Sequence, residues 1–181
     1  VALYDEEGRR QIYCDLKDIQ DKSMDYIKLE TALKESDAVV LCNVNFNRPL
    51  LKKVKQMGKL IASDVHVLQA SDDSYNKEFM EYADILFLSD EQLPCDAGVF
   101  MLELKAKYAA KIIVIGLGRK GALLYERSEN RIYHLEAVPV DTVVNTIGAG
   151  DALVSCFIHY YLKGYAAIES LVRAEVFAAL K

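Results

Sequence analysis

Residues 145–157 read Asn-Thr-Ile-Gly-Ala-Gly-Asp-Ala-Leu-Val-Ser-Cys-Phe. Small residues, Gly148, Ala149 and Gly150, lead into the acid Asp151 and then into an apolar stretch with helical spacing. Glycines weaken a helix start, so a helix beginning here calls for a compensating use of the space they leave. The first amides of a helix lack acceptors within it, and its dipole adds partial positive charge at that end. With little side chain to cover them, the Gly148, Ala149 and Gly150 amides would form an anion hole. Asp151 falls in the first helical turn, where a carboxylate could take a proton from an attacking hydroxyl. Donors for a transferring group beside a base for the nucleophile are what phosphoryl transfer to an alcohol needs. A plainer role for Asp151 is stabilising the helix terminus, worth about 0.3–1 kcal/mol. Asp151, Ser155, His159 and Lys163 share i, i+4 spacing, so Asp151 also begins a polar stripe opposite Leu153, Cys156, Phe157 and Tyr160.

The elements that must position this motif follow a regular alternation. Residues 1–14 suggest two short strands around Asp5-Glu6-Glu7-Gly8, and 24–35 a helix. Apolar runs at 37–43, 59–65, 84–89 and 111–116 read as strands, with helices over 48–58, 74–83 and 98–109 between them. Strands apolar on both faces and separated by helices predict an α/β fold, a doubly wound, mostly parallel sheet flanked by helices. After the fourth strand, 121–138 reads as a β-hairpin turning at Ser128-Glu129-Asn130. A short strand near 140–144 and helices over 149–163 and 166–181 complete the chain.

Such sheets bind ligands beyond the carboxyl ends of their strands. That rule selects Asn43 and Asn45, Asp64 and His66, Ser89 to Gln92, and Gly116 to Gly121 as candidates. Residues 116–121, Gly-Leu-Gly-Arg-Lys-Gly, match the dinucleotide pattern G-x-G-x-x-G. The pattern requires a helix after its last glycine, whereas Ala-Leu-Leu-Tyr-Glu here predicts a strand, so an NAD site is not expected. A glycine loop between strands can still lie flat against a nucleotide.

Composition narrows the partners. The chain of 181 residues is 52% hydrophobic and 27% charged, enough apolar content for a sizeable core. Its net charge of -5 comes with scattered basic residues, paired only briefly as at Arg9-Arg10 and Lys52-Lys53, which argues against nucleic acid. No apolar run approaches the roughly 20 residues of a membrane span, and the expected location is the cytoplasm. Cys14, Cys42, Cys95 and Cys156 lack C-x-x-C spacing and read as thiols, Cys42 and Cys156 buried; His66, His134 and His159 lack metal-ligand spacing. The chain begins with Val1 and stops in a helix-like run, which suggests a piece of a longer protein.

On these residues the chain resembles the ribokinase-like carbohydrate kinases of the PfkB family. Residues 145–153 resemble that family's D-T-x-G-A-G-D signature, and 116–125 its nucleotide loop. Residues 86–93 fall where the family has N-x-x-E, and 59–66 where it often has an Asp-x-Asn strand end. The resemblance implies one kinase domain over 1–181, lacking the family's N-terminal sugar-site and lid region and its C-terminal end. It implies ATP and Mg²⁺ as cofactors and a sugar or nucleoside as acceptor, with a homodimer formed through the absent lid.

Asp151 would be the catalytic base and Gly148, Ala149 and Gly150 the anion hole. Gly116, Gly118, Gly121, Ser89 and Thr146 would contact the nucleotide, Glu91 and Gln92 would organise Mg²⁺, and Asn145 and Ile147 would mark a monovalent-cation site. Asn145 stands where the family has Asp, which speaks against K⁺ there, and Ser89 and Gln92 replace the Asn and Glu of N-x-x-E. These departures leave a second expectation open: a catalytically weak or inactive relative that binds nucleotide or sugar in a regulatory or structural role.

Overall fold

A computed structural model describes residues 2–4, 10–13, 15–140 and 146–180. Strands β1 (Ala2–Tyr4) and β2 (Arg10–Ile12) pair antiparallel as a separate ribbon. The turn expected at residues 5–8 lies outside the described residues, as do Cys14, Asn145 and the 141–144 part of the expected strand.

Helix α1 (Tyr26–Glu35) starts where the Asp25 carboxylate accepts the Ile27 N–H at 3.0 Å. Four parallel strands follow: β3 (Ala38–Val40), β4 (Leu60–Val67), β5 (Ile85–Ser89) and β6 (Ile112–Gly116). Helices α2 (Arg48–Gln56), α3 (Lys77–Tyr82) and α4 (Ala97–Lys107) connect them. The chain then reverses into an antiparallel hairpin, β7 (Ala122–Glu126) and β8 (Arg131–Leu135). The sheet order β3-β4-β5-β6-β7-β8 is sequential. Helices α5 (Ala149–Leu162) and α6 (Ala167–Ala179) close the chain.

Alternation along the strands sorts the core into two layers. Leu86, Leu88, Ile113 and Ile115 face Leu51, Val54, Phe79, Phe100 and Leu104 of α2, α3 and α4. Ile85, Phe87, Ile112 and Val114 face Val154, Phe157, Ile158 and Leu171 of α5 and α6. Phe157 meets Phe87 edge-on with ring centroids 5.4 Å apart, which fixes α5 against the sheet.

The expected α/β layering therefore holds, with differences at element ends. β3 is shorter than residues 37–43, yet the Leu41 and Asn43 N–H groups continue the ladder to Ala62 and Asp64 carbonyls. Helix α3 starts late because the Asp73 carboxylate holds the Asn76 N–H at 2.8 Å in a preceding turn. β4 runs two residues past its expected end, through a register shift between Asp64 and Val67.

One charge is poorly placed for stability. Glu175 of α6 is buried, and burial pushes its carboxyl above the ordinary range. Its protonated form is the one the fold prefers, so the stability this preference gives is present below the unfolded pKa and lost as pH rises through the folded one. Glu175→Gln should stabilise the protein at about pH 7, with the advantage shrinking toward about pH 4. Urea unfolding at both values checks this; an equal effect at both would remove burial as the cause.

Candidate functional site

The carboxyl ends of β3, β4, β5 and β6 and the amino end of α5 contain all the main sequence candidates, and the local chemistry of each is distinct. Gly148 is the N-cap of α5 with φ +81°, a left-handed conformation that glycine adopts without strain. The first intrahelical bond runs from the Ala152 N–H to the Gly148 carbonyl at 2.9 Å. Of the three amides expected as an anion hole, that of Ala149 is engaged, donating to the Thr146 carbonyl at 3.2 Å. The reason is local: the chain makes a turn from Thr146 into the helix, and that turn uses the Ala149 donor. The amides of Gly148, Gly150 and Asp151 meet no acceptor among the described residues. Asp151's own N–H is thus left without an acceptor among the described residues, while Ala149's is not. A Cβ added to Gly150 would meet nothing within 4 Å among the described residues, so no side chain there crowds the helix start at that position.

Asp151 is exposed in the first turn of α5. Its charge reaches two groups on the strand ends. Burial, and then the neighbouring Asp64, push the Cys42 thiol up, with Asp151 adding to the effect. Burial also pushes the Asp64 carboxyl up, against the pull of His66, and Asp151 again adds to the rise. Read from sequence as a buried thiol, Cys42 is half-buried and lies in this electrostatic neighbourhood. Its position just past β3 is the signal that could have found it, since other strand ends were candidates on that ground.

Asp64 and His66 form a built corner. Asp64 Oδ1 accepts the His66 N–H at 2.8 Å, and His66 Nδ1 lies 3.4 Å from Asp64 Oδ2. His66 has φ +59°, a left-handed conformation uncommon outside glycine but more accessible to Asn, Asp and His. The corner thus turns the end of β4 while keeping the carboxylate largely buried.

The glycines of the 116–121 loop separate into different roles. Gly118 has φ +57° and open space where a side chain would be, which suits close approach by a flat ligand. Gly116 continues the sheet between Ser89 and Ala122 and would carry a Cβ in ordinary contact with the Leu88 carbonyl, 3.8 Å away. Gly121 is a packing requirement: a Cβ there would lie 1.9 Å from the Leu135 carbonyl oxygen. The loop closes through Leu117 N–H to the Gly121 carbonyl at 2.7 Å, and His134 Nε2 lies 3.0 Å from the Lys120 carbonyl. Residues 122–126 form β7, so no helix follows the last glycine and the dinucleotide pattern fails structurally.

Other candidates are occupied within the chain. Ser89 Oγ accepts the Glu91 N–H at 3.3 Å, and the Gln92 side-chain oxygen accepts from Gln69 at 3.0 Å. Asn43 donates to the Val65 carbonyl and to Asn76, while Asn45 donates to the Gln20 carbonyl and accepts from Arg48. Both asparagines are tethers for their loops. Ile147 is half exposed next to the Thr146 turn. Among the described residues, no group of three or more His, Cys, Asp or Glu side chains is placed to hold a metal ion. Among the same residues, no helix is long and apolar enough to cross a membrane.

Comparison with known proteins bears on the fold and the family. A deoxyribokinase of Salmonella typhi is 39% identical over 67 residues, covering 37% of this chain and 21% of the relative. A 5-dehydro-2-deoxygluconokinase of Clostridium perfringens is 26% identical over 179 residues, covering 90% of this chain and 52% of the relative. The chain thus spans about half the length of that relative. Among solved structures, a microbiome-derived acarbose kinase superposes with TM-score 0.84 at 24% identity, covering 98% of this chain and 60% of that one. The Arabidopsis thaliana ribokinase complexed with ribose and ATP gives TM-score 0.78 at 21% identity, covering 99% and 61%. These structural likenesses carry the fold, and the family follows from sequence: the profile of the pfkB family of carbohydrate kinases matches residues 1–181, and the chain belongs to that family.

Proposed function

We propose that the protein transfers the γ-phosphoryl group of ATP to a hydroxyl of a small sugar. The observation that carries this reading is the Gly148–Asp151 terminus. There, amides with no acceptor among the described residues stand beside Gly150, where an added Cβ would meet none of those residues within 4 Å, and an exposed carboxylate stands in the same helical turn. Those donors suit the charge that builds on a transferring phosphoryl group, and Asp151 suits the role of base toward the acceptor hydroxyl. Gly118, open and left-handed at the end of β6, would lie along the nucleotide, with Gly116 and Ser89 at its base and Thr146 beside the anion hole. Gly121 supports the loop by its packing.

Mg²⁺ would enter with the phosphates, as is usual where a site has few carboxylates of its own. Glu91 and Gln92 would help to organise it, with the Gln92 side-chain oxygen also accepting from Gln69. The names of the relatives suggest deoxy sugars as acceptors, and the cytoplasm, where ATP is held, is the expected compartment. A second reading rests on one observation: the Ser89 hydroxyl and the Gln92 side-chain oxygen are both engaged within the chain. On that reading the protein binds ATP or sugar but transfers phosphate slowly or not at all.

The test is ATP-dependent phosphorylation by the full-length protein across deoxyribose, 5-dehydro-2-deoxygluconate, ribose and nucleosides, with ATP binding measured alongside. Phosphorylated sugar is the expected product. ATP binding without transfer to any acceptor would favour the second reading, and absence of both would overturn the proposal.

A further inference from the structure

The geometry points to a second anion site, at the end of the sheet away from Asp151, built to take a phosphate group. Lys59, Asp84 and Lys111 immediately precede β4, β5 and β6. Parallel register sets them side by side: the Asp84 N–H donates to the Ile61 carbonyl and the Lys111 N–H to the Asp84 carbonyl, each at 2.8 Å. Lys55 joins them from the last turn of α2. Together with Gly58 and Leu60, these residues line an open cavity of about 220 Å³.

The charge balance in that cavity is uneven. Asp84 Oδ2 accepts the Ile61 N–H at 3.0 Å, and Oδ1 faces Lys55 at 3.0 Å and Lys111 at 3.5 Å. Burial raises the Asp84 carboxyl, but the Ile61 N–H and the two lysines together hold it below the usual range. One committed negative charge therefore stands against the ammonium groups of Lys55 and Lys111, and Lys59, which also lines the cavity, adds a third cation whose ammonium is drawn to the Lys34 carbonyl. The local excess is positive in a chain whose net charge is -5. An ammonium carries three N–H donors. Lys59 gives one to the Lys34 carbonyl at 2.7 Å, and Lys55 gives others to Asp84 and to the Tyr82 carbonyl at 3.4 Å. Donors remain on each lysine for a ligand.

Gly58, at φ +68° with nothing within 4 Å of its would-be Cβ, keeps one wall open. An oxyanion there would relieve the mutual repulsion of the lysines and accept their remaining donors. The five residues of β5 separate this cavity from the Asp151 end by roughly 17 Å, so the two sites are distinct. The ligand class is phosphate, either free or as a sugar phosphomonoester.

The test is the melting midpoint of the protein with potassium phosphate, with a sugar phosphate, and with potassium chloride at matched ionic strength. The comparison variant is Lys59→Gln/Lys111→Gln, which keeps the Lys55–Asp84 pair and the Ile61 contact. Phosphate at ten times its Kd should raise the midpoint by roughly 3–5 °C. The rise should be absent from the chloride control and markedly smaller in the double variant, which keeps the donors at the start of α5. If the part of the rise that the double variant loses appears at lower concentration with the sugar phosphate, the monoester is the ligand; equal potency in that part identifies free phosphate. No rise beyond chloride, or a rise that the double variant leaves undiminished, overturns the proposal; a smaller rise shared by both proteins is phosphate held at the start of α5, and the kinase reading is tested separately by turnover.

Discussion

Replacing Asp151 with Asn should lower phosphoryl transfer by about 10²–10⁴-fold, the range for loss of a general base, while leaving the fold in place. Asn matches Asp in size, and the side chain at this position is exposed, so no cavity or clash is created. The helix loses one favourable charge near its amino end, a stability cost of about 0.3–1 kcal/mol. The two readings of Asp151 therefore separate on turnover, with the melting midpoint showing that the fold is kept. A base lost without a cap gives a large fall in kcat with a small fall in melting midpoint. A cap without a base gives the small fall alone. ATP binding should hold in the variant, because a negative charge beside the phosphates has been removed rather than added. Turnover, calorimetric melting and ATP affinity on the same preparation check all three expectations. Unchanged turnover would take Asp151 out of the chemistry.

The second large effect is expected at Gly121. Its φ of +90° already disfavours any side chain, and the Cβ of Ala would lie 1.9 Å from the Leu135 oxygen, 2.6 Å from the Ala137 nitrogen and 2.7 Å from the Glu136 carbonyl carbon. Every one of these contacts is backbone, so no side chain can swing away to relieve them. At φ +90° and ψ −132° a non-glycine residue is strained by at least about 1–2 kcal/mol, and overpacking costs about 1–3 kcal/mol more. Gly121→Ala should therefore destabilise by about 2–5 kcal/mol, or force the 116–121 loop away from the chain leaving β8. Gly118→Ala is the control: the same loop and also a positive φ, +57°, but empty space around the Cβ. It should cost only the strain of about 1–2 kcal/mol, and its larger effect should fall on ATP affinity. Urea unfolding of the two variants checks the contrast; equal losses would mean that the loop relaxes at both positions.

These cases show what could be read before the structure and what could not. The strands were legible because Ile112–Ile115 and Ile85–Leu88 are apolar on both faces, which only a sheet covered on two sides requires. The helix start at Gly148 was legible from the cost of its glycines. The different roles of Gly118 and Gly121 were not legible, because the contact that decides them comes from Leu135 to Ala137 across the sheet. The occupation of the Ala149 amide was hidden for a related reason: it depends on how the chain turns at Thr146. Asn43 and Asn45 sat where substrate contacts are expected, but their amides hold together loops distant in sequence, at Val65, Asn76 and Gln20. Cys42 gave no signal beyond its place after a strand; its neighbours Asp64 and Asp151 come from other elements.

The central claim is that the amides at the start of α5 receive phosphate oxygens from ATP. Amide chemical shifts recorded by NMR during titration with a non-hydrolysable ATP analogue and Mg²⁺ test it most directly. The account predicts that Gly148, Gly150 and Asp151 move most, together with Gly118, while Ala149 moves less because its donor is held by Thr146. Saturable binding that leaves Gly148, Gly150 and Asp151 unmoved would contradict it.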